Sequence, residues 1–519
     1  MSETIRRPNV LIFMTDQQNG STVVPGARPR AVTPHLDAFR ERAVTFRDAF
    51  ATAPHCSPSR ASFFTGTYPS EHGVWNNVNV GNALARHPRP EVPFWSRSFE
   101  SEQYQLAFCG KWHVSSMATP RAYGWTELNS GDDFGLGTTL PSPLDGEIVR
   151  NHAREQEIDR LRRGSGLDED RKRGAGEIIR PGWPAFTLYG TEELPFGDEG
   201  VVSAAEGFIA NQKRESPPWV LYVGTLGPHD PYTPPARFLD LYDPDDIELP
   251  PSFDDPMIDK PTLYRRTRDA FDQLSEGEHR EALRHYLAFC SYEDELFGRL
   301  IDAVDKTSAT ENTVILYVSD HGDYAGDHGL WGKGLPSFQS AYRVPLIIGG
   351  PGVSSAVQGT VRAERVSLVD LGPTLQELCG LAVDRKSSGR SLVPILEGVD
   401  ETASRRQVIY QSNGNEAYGI QRVVIHDQWK LVVNLFDDDE LYNLDVDPDE
   451  QVNLLGKRDS ARRTGVAPAS RVPEDVLPRV RDLYARLWRF ALAHDDAILD
   501  DYILTALETF GPGSALEDS

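Results

Sequence analysis

The hydrophobic residues of this chain fall into short continuous runs separated by longer stretches of mixed character. Five runs stand out in the first three quarters of the sequence: residues 9–14, 105–109, 219–225, 313–319 and 345–348. The runs are rich in β-branched and aromatic residues and do not alternate with polar residues. This pattern is typical of strands that are buried on both faces of a mainly parallel sheet.

Helical spacing appears between these runs. From about residue 275 to residue 306, apolar side chains recur at the spacing of a helix with one buried face. Strands that alternate with helices predict a doubly wound α/β domain. Residues from about 130 to 200 interrupt the alternation with glycine, proline and many charges, so we expect an insertion there that forms a pocket wall or a lid.

The pattern changes after about residue 400. Runs at 407–411, 422–426 and 431–436 predict short antiparallel strands, and residues from about 473 to 493 predict a helix. We therefore predict an α/β fold in two parts. Residues 1–400 form a large, mainly parallel sheet flanked by helices, and residues 401–519 form a smaller α+β domain with an antiparallel sheet and a tail.

Composition narrows the possible partners and the compartment. The formal net charge is −25, so we expect neither nucleic acid nor an anionic membrane surface as a partner. Four cysteines in 519 residues are too few for a disulfide framework and favour a reducing compartment. The first apolar run is shorter than a signal-peptide core or a membrane span, which needs about 18 residues or more. We expect a cytoplasmic protein.

Polar residues that follow the apolar runs are the first candidates for a functional site, because open α/β sheets bind ligands at the carboxyl ends of their strands. Each candidate alone has an ordinary structural explanation, such as a helix cap, a turn or a buried histidine. Their convergence on several strand ends favours a site. The candidates at these strand ends are Asp16, Gln17, Lys111, His113, His229, Asp320 and His321.

The chemistry of these residues suits a divalent cation and a small anion. The oxygen atoms of Asp16, Gln17 and Asp320 suit Ca²⁺, Mg²⁺ or Mn²⁺, whereas the His321 nitrogen favours Mn²⁺ or Zn²⁺. The identity of the metal therefore stays open at this point. Other candidates complement these ligands. The positive charges of Arg60, Lys111 and Lys333 could neutralise a tetrahedral oxyanion. His113 and His229 could serve as acid and base.

Cys56 begins a segment that reads Cys-Ser-Pro-Ser-Arg up to Arg60. The cysteine is either a nucleophile of low pKa, helped by a helix N-terminus and by Arg60, or a small buried residue at the start of a helix. Residue chemistry alone leaves both alternatives open.

The segment resembles the Cys-x-Pro-x-Arg signature of the type I sulfatases of the alkaline-phosphatase superfamily, including the Thr-Gly that ends its helix. The resemblance covers nearly the whole chain and implies an alkaline-phosphatase-like fold in which residues 1–400 are catalytic. Its other motifs follow in the order of the family: Pro8-Asn9-Val10-Leu11, Gly110-Lys111-Trp112-His113, Ser319-Asp320-His321-Gly322 with Gly329 and Lys333, and Leu441-Tyr442-Asn443-Leu444 through Asp447-Pro448 to Asn453-Leu454.

The resemblance implies a mechanism for Cys56. A formylglycine-generating enzyme, as a transient partner, would oxidise the cysteine to formylglycine (3-oxoalanine), whose aldehyde hydrates to a diol. One hydroxyl of the diol attacks sulfur, and the alcohol leaves. The remaining hydroxyl then loses its proton to expel sulfate and restore the aldehyde. The resemblance also implies one divalent metal ion, with Ca²⁺ preferred and Mn²⁺ as the alternative.

The resemblance further implies a role for each candidate. The metal ligands would be Asp16, Gln17, Asp320, His321 and the modified Cys56. Arg60 would orient the diol, and His113 would assist the elimination of sulfate. Sulfate oxygens would bind Lys111 and Lys333, and His229 would protonate the leaving oxygen. Asn77 would supply a substrate-binding amide, as the corresponding segment does in some relatives.

Two residue pairs depart from the common pattern of the family. Many sulfatases carry Asp-Asp where this chain has Asp16-Gln17, and Asp-Asn where it has Asp320-His321. The pairs found here are similar to those of choline-sulfatase-like enzymes and phosphonate monoester hydrolases, whereas the pair Lys111 and His113 favours a sulfatase.

We therefore predict a sulfuric ester hydrolase that cleaves a small-molecule sulfate monoester to an alcohol and inorganic sulfate. The alternative is a phosphonate monoester or phosphodiester hydrolase that uses the same diol. A third hypothesis is a non-catalytic anion-binding protein in which Cys56 stays unmodified. The sequence leaves open the substrate and whether the chain forms a homo-oligomer.

Overall fold

The structure is a computed structural model, and it describes residues 7–129, 172–180, 185–213, 215–307, 309–401, 405–415, 418–456, 472–498 and 509–515. Most of the predicted insertion at 130–200, and much of the tail, lie outside the described residues. The strands are β1 (Asn9–Thr15), β2 (Ala43–Phe46), β3 (Ala49–Phe50), β4 (Gln105–Gly110), β5 (Thr126–Asn129), β6 (Glu177–Ile178), β7 (Phe186–Thr187), β8 (Trp219–Gly224), β9 (Thr313–Ser319), β10 (Leu346–Gly349), β11 (Val361–Arg362), β12 (Val366–Ser367), β13 (Gln407–Gly414), β14 (Tyr418–His426), β15 (Trp429–Asn434) and β16 (Glu440–Asn443). The α-helices are α1 (Pro34–Arg40), α2 (Cys56–Thr65), α3 (Pro69–His72), α4 (Ser96–Ser101), α5 (Asp198–Ala210), α6 (Thr262–Arg268), α7 (Glu276–Asp305), α8 (Leu371–Leu378), α9 (Val393–Leu396) and α10 (Leu477–Ala493).

The large sheet has eight strands in the order β11-β2-β10-β9-β1-β8-β4-β5. The five strands from β9 to β5 run parallel to one another. Strand β10 runs antiparallel to both of its neighbours, β9 and β2. The prediction of a mainly parallel sheet is confirmed, and the run at 345–348 forms its antiparallel member.

Both faces of this sheet are covered, which explains why the apolar runs do not alternate with polar residues. In β1, Val10, Ile12 and Met14 point into one core, whereas Leu11 and Phe13 point into the core on the opposite face. Every residue of β1 is buried. A strand in this position has no polar face.

The predicted long helix is confirmed as α7. Its start is set by a capping box, in which the Ser275 hydroxyl accepts a hydrogen bond from the Glu278 N–H and the Glu278 carboxylate accepts one from the Ser275 N–H. Leu283, Phe297 and Leu300 on its apolar side are buried in the same core as Leu11. Within the described residues, no helix combines the length and the apolar character that a bilayer span requires.

The last part of the chain contains the predicted antiparallel sheet, with four strands in the order β13-β14-β15-β16. One face of this sheet packs on α10 through Leu487 and Trp488. The opposite face packs on the first part of the chain, where Tyr410 stacks against Tyr342 with ring centroids 3.9 Å apart. This sheet therefore packs between α10 and the first part of the chain. The boundary at residue 400 stays a prediction.

Candidate active site

The sequence candidates converge at one edge of the large sheet, because the neighbouring parallel strands β9, β1, β8 and β4 all end there. Helix α2 begins beside this edge and brings Cys56 to it with its first residue. The candidates follow these elements along the chain: Asp16 and Gln17 after β1, Lys111 and His113 after β4, His229 after β8, and Asp320 and His321 after β9.

Four of the candidates form a compact buried group of donor atoms. One donor atom from each of Asp16, Cys56, Asp320 and His321 lies within 4.8 Å of the other three. His321 Nε2 lies 3.3 Å from Cys56 Sγ, 3.7 Å from an Asp16 oxygen and 3.6 Å from an Asp320 oxygen. His321 Nδ1–H donates to the Gly322 carbonyl, which aims the lone pair of Nε2 at this group. Two carboxylates and an imidazole nitrogen are a donor set that fits a divalent cation.

Arg60 holds the two carboxylates in place. Its Nε donates to Asp320 at 2.7 Å and one Nη donates to Asp16 at 3.1 Å, while the other Nη donates to the Tyr222 hydroxyl at 2.9 Å. The Lys111 ammonium also donates to Asp16. Burial opposes ionisation of Asp16, but Lys111 and Arg60 hold the pKa of this carboxyl group well below its usual range. Asp16 is therefore a carboxylate, as a metal ligand must be.

Gln17 connects the buried group of donor atoms, called here the metal-ligand group, to the loop that follows β8. Its Nε2 donates to the carboxylates of Asp230 at 3.0 Å and Asp323 at 2.6 Å, and its Oε1 accepts a hydrogen bond from Lys333. The residue has a φ of 65°, a left-handed conformation that costs about 1–3 kcal/mol outside glycine and is common at functional sites. The structure thus fixes the orientation of the Gln17 amide, and its role as a metal ligand stays a prediction.

The position of Cys56 is strongly electropositive. Burial alone would raise the pKa of its thiol, but Lys111, Lys333 and His321 lower the pKa well below the usual value. The side chain is 2% exposed, so these charges act in a medium of low polarity. Charges that stabilise a buried thiolate would equally stabilise another anion at the same point.

The imidazole of His229 lies between Asp230 and the ammonium group of Lys333. Its Nδ1–H donates to the Asp230 carbonyl at 2.6 Å, and its Nε2 lies 2.7 Å from Lys333 Nζ. Burial and Lys333 lower the pKa of His229, but Asp230, Cys56 and Asp16 together raise it above the usual value. Nε2 is therefore the nitrogen through which His229 would exchange a proton with a bound molecule.

The remaining two candidates flank the start of α2. His113, with a φ of 53°, contacts the Cys56 thiol and places its Nε2 2.8 Å from Asn79 Oδ1. Asn77 Oδ1 accepts a hydrogen bond from the Ser57 N–H at 3.0 Å, so its amide caps the first turn of the helix. The backbone N–H of Asn77 donates in turn to the side-chain oxygen of Asn415, which directly follows β13.

Several residues of the site are absent from the sequence candidates. Asp230 and Asp323 lie close in sequence to His229 and His321, and this proximity was the only available signal for them. Asn415 comes from the last quarter of the chain and had no such signal. His55 is the N-cap residue of α2, directly before Cys56, and burial together with Lys333 and His321 lowers the pKa of its imidazole to about 3.

This fold and this site define a hydrolase of the alkaline-phosphatase superfamily. Within it, the chain belongs to the sulfatase family: the family model described as "Sulfatase" matches residues 8–381. A second model, "N-sulphoglucosamine sulphohydrolase, C-terminal", matches residues 326–464. The protein is therefore a sulfuric ester hydrolase, and the prediction of the family from the Cys56 motif is confirmed.

Similar proteins cover nearly the whole chain. A choline-sulfatase of Rhizobium meliloti (strain 1021) is 30% identical over 508 residues, which cover 93% of this chain and 88% of that protein. An uncharacterized sulfatase, YidJ, of Escherichia coli (strain K12) is 29% identical, covering 87% of this chain and 84% of that protein. The structure of a phosphonate monoester hydrolase from Silicibacter pomeroyi superposes with a TM-score of 0.69 and 22% identity over 95% of this chain and 97% of that one.

Proposed function

We propose that the protein hydrolyses the sulfate monoester of a small molecule, with a hydrated formylglycine derived from Cys56 as the nucleophile. The observation that carries this proposal is the position of Cys56. Cys56 belongs to the same buried group of donor atoms as Asp16, Asp320 and His321, and the ammonium groups of Lys111 and Lys333 act on its thiol. An ester oxyanion next to Cys56 would meet the positive charge of these two ammonium groups and that of a cation held by the donor atoms.

The same residues support a divalent cation as the cofactor. Asp16, Asp320 and His321 would hold it, with Gln17 and the modified Cys56 as further ligands. When bound, the cation supplies positive charge that attracts the anionic ester and favours an ionised nucleophile. We propose Ca²⁺ because most of these ligands are oxygen atoms, with Mn²⁺ as the alternative because His321 contributes nitrogen.

The other side chains of the site bind the sulfate group or transfer protons. Lys111 and Lys333 bind sulfate oxygens, so Lys333 moves from His229 to the substrate when the ester binds. Once that contact is released, His229 binds a solvent proton at Nε2, which its raised pKa favours, and donates this proton to the leaving alcohol oxygen. His113, which contacts position 56, accepts the proton of the second hydroxyl when sulfate is expelled.

A comparison of substrates tests the reaction class. The protein, coexpressed with a formylglycine-generating enzyme, is assayed side by side with an aryl sulfate, an aryl phosphonate monoester and a phosphodiester. We expect the sulfate to have the largest kcat/KM. Much faster turnover of the phosphorus substrates would instead assign the protein to the second candidate function, a phosphonate monoester hydrolase. That candidate is favoured by the pairs Asp16-Gln17 and Asp320-His321.

Mass spectrometry of the peptide that contains Cys56 tests the nucleophile. The aldehyde should replace the thiol in active protein, and the fraction converted should be proportional to the specific activity. Full activity with an unmodified thiol would rule out the formylglycine mechanism. Protein from the native host that binds sulfate without turnover and keeps an unmodified Cys56 thiol would favour the anion-binding hypothesis.

Removal of His229 should affect substrates according to their leaving group. In His229→Ala, kcat/KM should fall about 10²- to 10⁴-fold for an alkyl sulfate and much less for 4-nitrophenyl sulfate, because the nitrophenolate leaves without a proton. The exposed His35 offers a matched control, and His35→Ala should leave both rates unchanged. Equal losses on the two substrates would contradict a general-acid role.

Metal binding should stabilise the fold. Protein treated with a chelator should melt at a lower temperature, and added Ca²⁺ should restore stability by about 2.7 kcal/mol at 100 times its dissociation constant. The Asp320→Asn variant should lose most of this response, because it removes one anionic ligand. Differential scanning calorimetry with Ca²⁺, Mn²⁺ and Zn²⁺ ranks the ions. A melting temperature that no divalent ion changes would contradict the metal site.

The compartment and the protein partners are also part of the proposal. We propose that the enzyme acts in the cytoplasm and meets a formylglycine-generating enzyme there before Cys56 is buried. In support, all four cysteines are buried free thiols. Cell fractionation of the native host, probed with an antibody to the chain, tests the location.

A further inference from the structure

A buried carboxyl group on α5 holds the loop that carries His229. Asp198 is the first residue of this helix and is 1% exposed. Its Oδ1 accepts a hydrogen bond from the Leu226 N–H at 2.9 Å, and its Oδ2 accepts one from the Gly227 N–H at 2.8 Å. Both oxygens are therefore used as acceptors by two consecutive backbone groups.

A second buried carboxyl group reaches the same loop from α7. Glu293 is fully buried, and the Thr225 hydroxyl faces its carboxyl group. It packs directly on Gly227, where a Cβ would lie only 2.1 Å from Glu293 Oε1. Gly227 is thus enclosed by Asp198 on its N–H and by Glu293 on its Cα.

Within the described part of the chain neither carboxyl group forms an ion pair, and Lys111 acts on Asp198 only from a distance. Two adjacent buried carboxylates would be very unfavourable under these conditions, so the pair retains a proton. Burial and Asp198 raise the pKa of Glu293 well above its usual value, and the facing Thr225 hydroxyl offsets little of this rise. Burial raises the pKa of Asp198 to about 7, although the Leu226 and Gly227 N–H groups lower it. These two N–H donors favour the ionised form of Asp198, which assigns the proton to Glu293.

The loop held by this pair connects the proposed general acid to the metal-ligand group. The Gly227 carbonyl accepts a hydrogen bond from the Asp16 N–H at 3.1 Å, and the His229 N–H donates to the Leu226 carbonyl at 3.1 Å. The positions of residues 226 and 227 therefore set the distance between His229 and Asp16.

We propose that Asp198, ionised, and Glu293, protonated, form a carboxyl pair that positions His229 for proton transfer to the leaving group. The two groups are positioning residues, since they touch the backbone of the loop and not the substrate. The inference rests on the proposed function of His229 and deepens it.

The test compares two isosteric variants. In Asp198→Asn, one acceptor oxygen becomes an NH₂ group that faces an N–H donor, so the loop loses a hydrogen bond. We expect kcat/KM for an alkyl sulfate to fall about 10- to 100-fold, with a much smaller loss for 4-nitrophenyl sulfate. Glu293→Gln replaces a neutral acid by a neutral amide, and it should stay within about twofold of the native enzyme on both substrates.

A double variant shows whether Asp198 acts through His229. The Asp198→Asn/His229→Ala enzyme should be no slower than His229→Ala, because the loop then has no general acid to position. Additive losses, equal losses on the two substrates, or a Glu293→Gln enzyme as slow as Asp198→Asn would each overturn the proposal. If Asp198→Asn does not fold, Asp198→Glu takes its place. This variant keeps the charge but displaces the carboxylate oxygens, so kcat/KM should again fall more for the alkyl sulfate than for 4-nitrophenyl sulfate.

Amide hydrogen exchange provides a readout that does not depend on activity. Exchange at Leu226 and Gly227 should be faster in Asp198→Asn than in the native protein and unchanged in Glu293→Gln. If the native enzyme fails on sulfate esters but this pattern is found, the proposed function is wrong and the carboxyl pair is supported. Unchanged exchange in Asp198→Asn would overturn the pair itself, whatever the activity.

Discussion

Replacement of Cys56 by alanine is expected to abolish turnover while the protein stays folded. The change removes the only proposed nucleophile, and losses at such positions reach about 10⁴-fold or more. The side chain stands at the first turn of α2, and alanine is a good helix former. We therefore expect the free energy of unfolding to change by no more than about 1 kcal/mol.

The measurement is kcat/KM on an aryl sulfate, with urea unfolding of the same samples. Cys379→Ala is a matched control, because Cys379 is also a buried thiol but lies in the core beside α8. It should lose some stability and keep the native kcat. Activity of Cys56→Ala above the background rate would show that the nucleophile is another group.

Replacement of Arg60 by alanine is expected to damage both activity and stability. The guanidinium is fully buried and bonds to Asp16 and Asp320, so its loss leaves Asp320 without its ion-pair partner and Asp16 with Lys111 alone. Removing one partner of a buried ion pair costs about 3–5 kcal/mol. Turnover should fall about 10³-fold or more, because the ligand group loses its geometry.

A divalent cation should offset part of the stability lost in Arg60→Ala, since it supplies positive charge between the Asp16 and Asp320 carboxylates. Unfolding in chelator and in Ca²⁺ measures this difference. Arg405 offers a matched control: it is buried and pairs with Asp370 at 3.1 Å, away from the site. Arg405→Ala should lose stability without a metal response and keep its kcat. If the two variants behave alike, Arg60 does not serve the metal site.

Much of the fold could be predicted from the sequence. Strands such as β1 and β9 are recognisable because both of their faces are buried, and a continuous apolar run records this directly. Helix α7 is recognisable because one buried face repeats at helical spacing. Antiparallel pairing of β10 could not be predicted in this way, since a buried strand has the same composition in either direction.

The sequence by itself also determined the family and the candidate groups that lie in its motifs, because these depend on short segments such as Cys56 to Arg60. Only the tertiary structure decided how the groups are held. Gln17 bonds to Asp323, 306 positions away, and Asp198 and Glu293 meet on Gly227 from two different helices. Such contacts depend on strand order and helix packing. A local pattern of apolar and polar residues records the burial of each segment, but it does not record which buried segments become neighbours.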